Sequence, residues 1–256
     1  MGEPAPPWRG GWRLVERHGL PASLVASRPD PGGERLACLA HPTAAAVVLG
    51  SGQRESDVDS RRCARLGLAV VRRHSGGGAV LVVPGAQLWV DLFVPAADPL
   101  TDPDVVRAAA WVGALFRDAI ADSSGDGDGL VVHAGRLAAT AWSRQVCFSG
   151  IGPGEVTRDG RKLTGLAQRR SRAGAWFFTM ALIRAEQRHL ASLLAVGDEE
   201  RRQLGAALDA GTAVVDCAGG ELEAQLAKGL GGEWSAGEDV PAEPHPAERD
   251  DDPSGR

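Results

Sequence analysis

Three places in this chain combine residue types that could do chemistry. The first runs Val70-Val71-Arg72-Arg73-His74-Ser75-Gly76-Gly77-Gly78-Ala79-Val80-Leu81-Val82-Val83. Glycines in a strand-like context weaken the sheet and lose extra chain entropy on folding. Three in a row imply that something approaches the backbone closely. A phosphate or carboxylate held by bare N–H groups, with Arg72 or Arg73 alongside, fits that need. The same letters also read as a Gly-rich hairpin turn with incidental arginines. The second place is Lys162, one of only two lysines (the other is Lys228) against 26 arginines. An ammonium is a compact point charge that can sit against a carboxylate or phosphate oxygen, where the arginine fork cannot. The plainer alternative is an exposed lysine beside a turn. The third is Cys147, in a Cys-Phe pair ahead of Lys162. A neighbouring ammonium would favour its nucleophilic thiolate, whereas an unreactive cysteine at such a position is a buried core thiol.

Positioning these groups requires a mixed fold. Short Val- and Ala-rich runs at 35–40, 45–50, 79–83 and 175–182 read as strands. Gln87–Pro95 alternates as a core strand expected to pair back on Ala79–Val83. The segment 12–24 reads as a strand or short helix, and 58–66 as a helical face built from Val58, Arg62, Cys63 and Leu66. The clearest helix spans Asp102 to Ala121, with Thr101 or Asp102 as its N-cap. After the 122–129 loop comes a strand at 130–133. A hairpin follows, turning at Arg158-Asp159-Gly160 with Lys162 on its second arm. Helical pieces are expected at 190–196, 199–208 and 221–230, with breaks at Gly211 and Gly219-Gly220.

Two motifs carry a family resemblance. Arg-Arg-x-Ser-Gly-Gly-Gly-Ala-Val, residues 72–80, resembles the signature of the lipoate–protein ligase A catalytic domain, a relative of biotin–protein ligases and octanoyltransferases. Val47–Gln53 and Val58-Asp59 precede it in that family's order. Gly160-Arg161-Lys162-Leu163-Thr164-Gly165-Leu166-Ala167-Gln168-Arg169 resembles its second signature. The likeness covers roughly residues 45–180. It implies an α/β (α+β) domain with a mixed, largely antiparallel sheet and flanking helices, the biotin/lipoate-protein-ligase (class II synthetase-like) catalytic fold. It further implies that Arg72, Arg73, Ser75, Gly76, Gly77, Gly78 and Ala79, with Gly165 and Gln168, surround an acyl-adenylate. Lys162 would contact the acyl carbonyl and the adenylate phosphate. The activity implied is attachment of a lipoyl or octanoyl group to a lysine of an acceptor domain in a 2-oxoacid dehydrogenase or the glycine-cleavage H protein, with ATP and Mg²⁺ as requirements.

The chain departs from the ligase pattern in one place. An aromatic-His-Asp and a Gly-Asn usually follow the glycine loop; here the residues are Leu81-Val82-Val83-Pro84-Gly85. Cys147 meanwhile resembles the cysteine of octanoyltransferases that take octanoate from acyl carrier protein without ATP. Ser75-Gly76-Gly77-Gly78 is ligase-like and Cys147 is transferase-like, so both routes stand. A third reading is a family member that binds acyl groups or acyl-adenylate without turnover. Arg169, Arg170 and Arg172 form either a solvated rim or a surface steering an acidic acceptor.

Bulk composition narrows the field. At 256 residues with 43% hydrophobic residues, the chain suits one domain with a sizeable core. Cys38, Cys63, Cys147 and Cys217 have no CxxC spacing, which argues against a cysteine zinc site or a disulfide framework; no metal ligands are assigned. Net charge is −5, and residues 233–256 hold eight of the acidic side chains against two arginines. The chain therefore divides into a catalytic domain over 1–232 and an acidic, Pro-rich tail over 233–256, expected to be disordered. No basic excess points to nucleic acid. No apolar run points to a signal peptide or membrane span, so a cytoplasmic location is expected.

Overall fold

The computed structural model describes residues 5–237 and 240. Its first half alternates strands with short helices: β1 (Trp12–Gly19), α1 (Pro21–Ala26), β2 (Arg35–Pro42), β3 (Ala46–Leu49), α2 (Ser60–Arg65), β4 (Ala69–Arg72), β5 (Val80–Val82) and β6 (Gln87–Pro95). The second half adds α3 (Val105–Ser124), β7 (Leu130–Val132), β8 (Val156–Arg158), β9 (Arg161–Lys162), β10 (Thr164–Arg170), β11 (Gly174–Leu182), α4 (Asp198–Gly211) and α5 (Gly219–Leu230).

Three sheets result, ordered β1-β2-β6-β11-β10, β4-β3-β5 and β7-β8-β9. Among the described strand pairs only β1–β2 and β3–β4 run parallel, so the mixed, largely antiparallel fold that the family resemblance implies is the one formed. β6 is the hub. Its residues are buried on both faces, as a covered central strand requires. Alternation divides them: Leu88, Val90, Leu92 and Val94 join α3 and α5 in one core. On the opposite face, Trp89 joins a second core with β3, β5 and α4. The glycine-loop sheet packs on that second face, and the site forms there.

Several expectations shift in register or partner. β5 does not pair with β6; it pairs antiparallel with β3, so the glycine loop links two strands that flank β3 and is not a hairpin. The physical reason is two glutamine side chains. Gln187 bonds both the N–H and the C=O of Leu81, occupying the outer edge of β5 as a strand would. Gln87 does the same for Val83 at the corner. The N-cap of α3 is Asp104, whose carboxylate accepts from Val106 N–H and Arg107 N–H. Asp102 instead pairs with Arg107. The piece expected at 190–196 is a 3₁₀ helix over Gln187–Leu193. Segment 12–24 holds a strand and then a helix, not one or the other. The hairpin forms as expected, with Asp159 at φ +51° and Gly160 at φ +76°, both left-handed as a two-residue primed turn demands.

The tail expected from residue 233 begins within the described chain. Trp234 donates its indole N–H to Glu223 O. Ser235 bridges β1 through Leu14 and Glu16, and Val240 N–H bonds His18 O. Residues 238–239 and 241–256 lie outside the description.

Candidate active site

The glycine loop owes its shape first to the protein itself. Gly77 takes φ +93°, and a Cβ on Gly50 would lie 1.8 Å from its carbonyl oxygen. A Cβ on Gly78 would meet the Val146 backbone at 2.5–2.7 Å. Only Gly76 faces open space, with no atom within 4 Å of a built Cβ. Two of the three glycines thus permit close chain approach within the fold, and Gly76 is the one left free to meet a ligand.

That close approach sets Cys147 beside the loop. Ala79 N–H bonds Gln145 O at 2.8 Å and Cys147 N–H bonds Ala79 O at 3.0 Å. Gln53 reinforces the junction: its Oε1 accepts from Gly50 N–H, and its Nε2 donates to Gln145 O. Arg73 is the loop's internal brace. Its guanidinium donates to Gly76 O and Gly78 O, both at 2.8 Å, to Ser75 Oγ, and to Val48 O. Burial lowers its pKa, and it lines one slot together with Cys147. Arg72 is exposed on β4.

A narrow slot of about 50 Å³ water-accessible volume opens between the two sheets. That holds only a few waters. Val48, Val80, Trp89, Phe178 and Met180 make its walls apolar, Gly165 to Ala167 form one side, and Cys147 and Phe148 close another. Arg73 and Ser75 also reach it, with Ser75 buried. Gly165 is needed for width: a Cβ there would lie 3.3 Å from Phe148 and 3.6 Å from Cys147 Sγ. A cationic group lines the slot from α1's side. Arg28 sits 4.6 Å from the Phe178 ring centre and pairs with Asp91 at 3.3 Å. Asp91 also accepts from Trp89 Nε1 at 2.8 Å. Burial pushes the Asp91 carboxyl up; Arg28 and the indole bond pull against it. His74 is held below its ordinary pKa by burial and by the charges of Arg169 and Arg28. The loop's surroundings are therefore positive.

Lys162 lies one layer behind the slot wall. It is 2% exposed, and its Nζ donates to Cys147 O and Gly150 O at 2.8 Å each and pairs with Glu155 Oε2 at 2.6 Å. An ammonium has three donors, and all three are engaged. Glu155 uses its remaining capacity on Gly152 N–H and Leu166 N–H. The exposed-lysine alternative is excluded. Instead the pair clamps the 147–155 segment to β10, with Nζ 5.1 Å from the Phe148 ring centre.

Of the residues singled out in the sequence, the structure brings Arg73, Ser75, Cys147 and Gly165 to the slot, with Gly78 and Ala79 set against the Val146-Cys147 backbone. Gln168 does not line it: its Nε2 donates to Val105 O at the head of α3. Arg170, taken as rim or steering charge, donates to Asp102 O and Pro103 O and braces that same loop. Sequence reasoning missed Arg28, Asp91 and Glu155, and had Gln53 only as the end of a motif. The signal for Glu155 existed. Thr157 faces Lys162 across the hairpin, so Glu155 is its diagonal neighbour on the same face.

The thiols separate by environment. Burial pushes Cys38 up to about 12, with Asp91 adding to the shift. Burial also raises Cys63, with Asp59 contributing. Cys147 and Cys217 are partly exposed. Brief alkylation of the native protein with iodoacetamide, read by peptide mass, should label Cys147 and Cys217 and leave Cys38 and Cys63 unmodified. Labelling of Cys38 ahead of Cys147 would contradict the site as described.

Comparison with known proteins then bears on this geometry. The family described as "Lipoyl protein ligase A/B catalytic domain" matches residues 19–212, three-quarters of the chain. The chain belongs to that family. No curated protein sequence matches it. Among solved structures, Ta0514 of T. acidophilum with bound lipoic acid is 14% identical, with TM-score 0.65, covering 91% of this chain and 90% of that one. A bi-partite lipoate protein ligase from Thermoplasma acidophilum, described with its E2 lipoyl domain, is 17% identical, with TM-score 0.64 and coverage of 91% and 88%. Lipoate-protein ligase A bound with ATP is 17% identical, with TM-score 0.58 and coverage of 90% and 88%. At such identities the likeness establishes the lipoyl-ligase fold. No helix among the described residues of this lipoyl-ligase family member is long and apolar enough to cross a membrane.

Proposed function

We propose that this protein attaches a lipoyl or octanoyl group to a lysine of a lipoyl-acceptor domain, of the 2-oxoacid dehydrogenase or glycine-cleavage H-protein type. One observation carries the reading: an apolar slot is lined by Cys147, Arg73 and Ser75, with Lys162 directly behind, bonded to the Cys147 carbonyl. The slot's apolar walls suit an alkyl chain by type, the slot having to widen from its present few-water volume to admit one, and the positive surroundings suit the anionic group that activates it.

In the ligase form, an oxygen of the acyl carboxylate attacks the α-phosphorus of ATP, giving acyl-AMP and releasing pyrophosphate. The acceptor amine then attacks the carbonyl carbon, the C–O bond to phosphate breaks, and AMP leaves as the amine loses its proton. Gly76 N–H faces the phosphate while Arg73 keeps the loop rigid. Lys162 exchanges one carbonyl partner for the substrate oxygen and offsets its charge in the transition state. No carboxylate lines the slot, so Mg²⁺ would enter on the nucleotide's own phosphates. The ATP-bound and lipoate-bound relatives support this form.

A second reading rests on the position of Cys147 on the slot wall beside Arg73. The Cys147 thiolate attacks an octanoyl thioester on acyl carrier protein, the carrier thiol departs, and the acceptor amine then displaces Cys147. The missing His-Asp pair after the glycine loop favours it. The two routes separate without any acceptor present. With lipoate and Mg·ATP, the ligase releases pyrophosphate and its own mass stays unchanged. With octanoyl-acyl carrier protein and no nucleotide, the transferase gains one octanoyl group, lost in Cys147→Ser. Neither signal leaves a binding protein and overturns the catalytic reading. If the protein works in the cytoplasm, as expected, both donors are available to it.

A further inference from the structure

Away from the slot, three potential ligands converge where β1 and β2 run parallel. Glu16 and His18 lie on one face of β1, two residues apart, and His18 is register partner of His41 on β2. The two imidazoles stack at 4.5 Å between ring centres, 11° from parallel. Both turn Nε2 toward the same carboxylate oxygen. His18 Nε2 is 3.5 Å and His41 Nε2 is 3.8 Å from Glu16 Oε2. All three donor atoms lie within 4.8 Å of one another.

Two features separate this cluster from an ordinary surface ion pair. The first is His41 Nε2, which is shut off from solvent and receives no hydrogen bond. A nitrogen in that state has lost water and gained only the Glu16 carboxylate at 3.8 Å, too far for a hydrogen bond. The second is the spacing. Tetrahedral zinc with bonds near 2.0–2.1 Å puts its ligand atoms roughly 3.3–3.4 Å apart. The two nitrogen–oxygen edges already approach that separation. The His–His edge has further to close, and both rings are exposed enough to tilt. Two imidazoles and one carboxylate leave the fourth position to water, and this donor set suits zinc-class ions over Mg²⁺ or Ca²⁺.

We propose that Glu16, His18 and His41 bind one divalent transition-metal ion of the zinc class, joining β1 to β2 beside the points where Ser235 and Val240 bond the β1 backbone. The placement gives the ion a structural consequence. Glu16 N–H bonds Ser235 O, and His18 O accepts from Val240 N–H. An ion here holds the two strands together at the point where the C-terminal segment joins the sheet edge. The sequence pattern hid the site because His41 comes from a different strand and only the parallel register brings it in.

The test uses the full chain, stripped of metal, in a Cys147→Ser, Cys217→Ser background that removes the two accessible thiols as competing ligands. Zn²⁺ is titrated in a calorimeter, with Mg²⁺ and Ca²⁺ as controls, and Co²⁺ is added to report geometry by its visible absorption. The expected result is one equivalent of Zn²⁺, a rise in melting temperature, and the intense absorption of tetrahedral Co²⁺. His41→Ala and Glu16→Gln should each weaken Zn²⁺ binding by at least ~10-fold, while His189→Ala, another exposed histidine, should leave it unchanged. Binding that His41→Ala does not weaken, binding equalled by Mg²⁺, or no stoichiometric binding at all would each overturn the site. Because none of these readouts is enzymatic, they stand apart from the acyl-transfer reading.

Discussion

Lys162→Ala should lose acyl transfer by at least ~10²-fold, the usual cost of removing one transition-state donor, and should also lose stability. The sequence alone leads to a variant that folds normally. The structure changes that expectation, because the substitution strands Glu155, which is 3% exposed. Breaking a buried pair by removing one partner costs about 3–5 kcal/mol. It also frees the Cys147 and Gly150 carbonyls that the ammonium holds. Activity lost in the single variant is therefore ambiguous. The double variant Lys162→Met, Glu155→Gln removes both charges while keeping approximate volume, so it should recover much of the stability in urea denaturation and still fail to transfer. A double variant that is stable and fully active would end the assignment of Lys162 to the chemistry.

Gly78→Ala should be the most damaging alanine in the glycine loop. Its methyl would press on Val146 backbone atoms at 2.5–2.7 Å, where no flexible side chain can give way. Overpacking of this kind costs about 1–3 kcal/mol, and relief would come by pushing the loop from the 146–147 backbone that positions Cys147. Gly76→Ala meets no atom within 4 Å and should melt like the wild type. If Gly76 N–H faces the activating phosphate, that variant should nonetheless raise KM for the activated donor. Equal melting temperatures for Gly76→Ala and Gly78→Ala would show that the loop does not sit against Val146 as described.

The contrast between these glycines shows what the sequence could and could not disclose. Three adjacent glycines do signal close approach, but the neighbour proves to be mostly the protein's own backbone, from Gly50 and Val146, which no local pattern reveals. Arg73 looked like a phosphate ligand by type and position. Three hydrogen bonds inside the loop and one to Val48 O on β3 make it a brace. The Asp159-Gly160 turn was legible because its backbone demands those residues locally. The pairing of β5 was not legible, since Gln187, more than a hundred residues away, seals its edge. Lys162 was legible as unusual through lysine's rarity in this chain. Its burial against Glu155 follows from the hairpin register, one inference further than the motif alone. Arg28 and Asp91 carry no motif; they meet only because the chain just past α1 reaches β6 and β11, where Arg28 pairs with Asp91 and lies over Phe178.

The central claim is that this chain moves an acyl group onto another protein. The most direct measurement is the intact mass of a purified lipoyl-acceptor domain after incubation with it, in parallel with lipoate plus Mg·ATP and with octanoyl-acyl carrier protein without nucleotide. The account predicts a gain of one lipoyl or octanoyl group in at least one mixture, absent when the acceptor lysine is replaced. An acceptor of unchanged mass in both mixtures would contradict it.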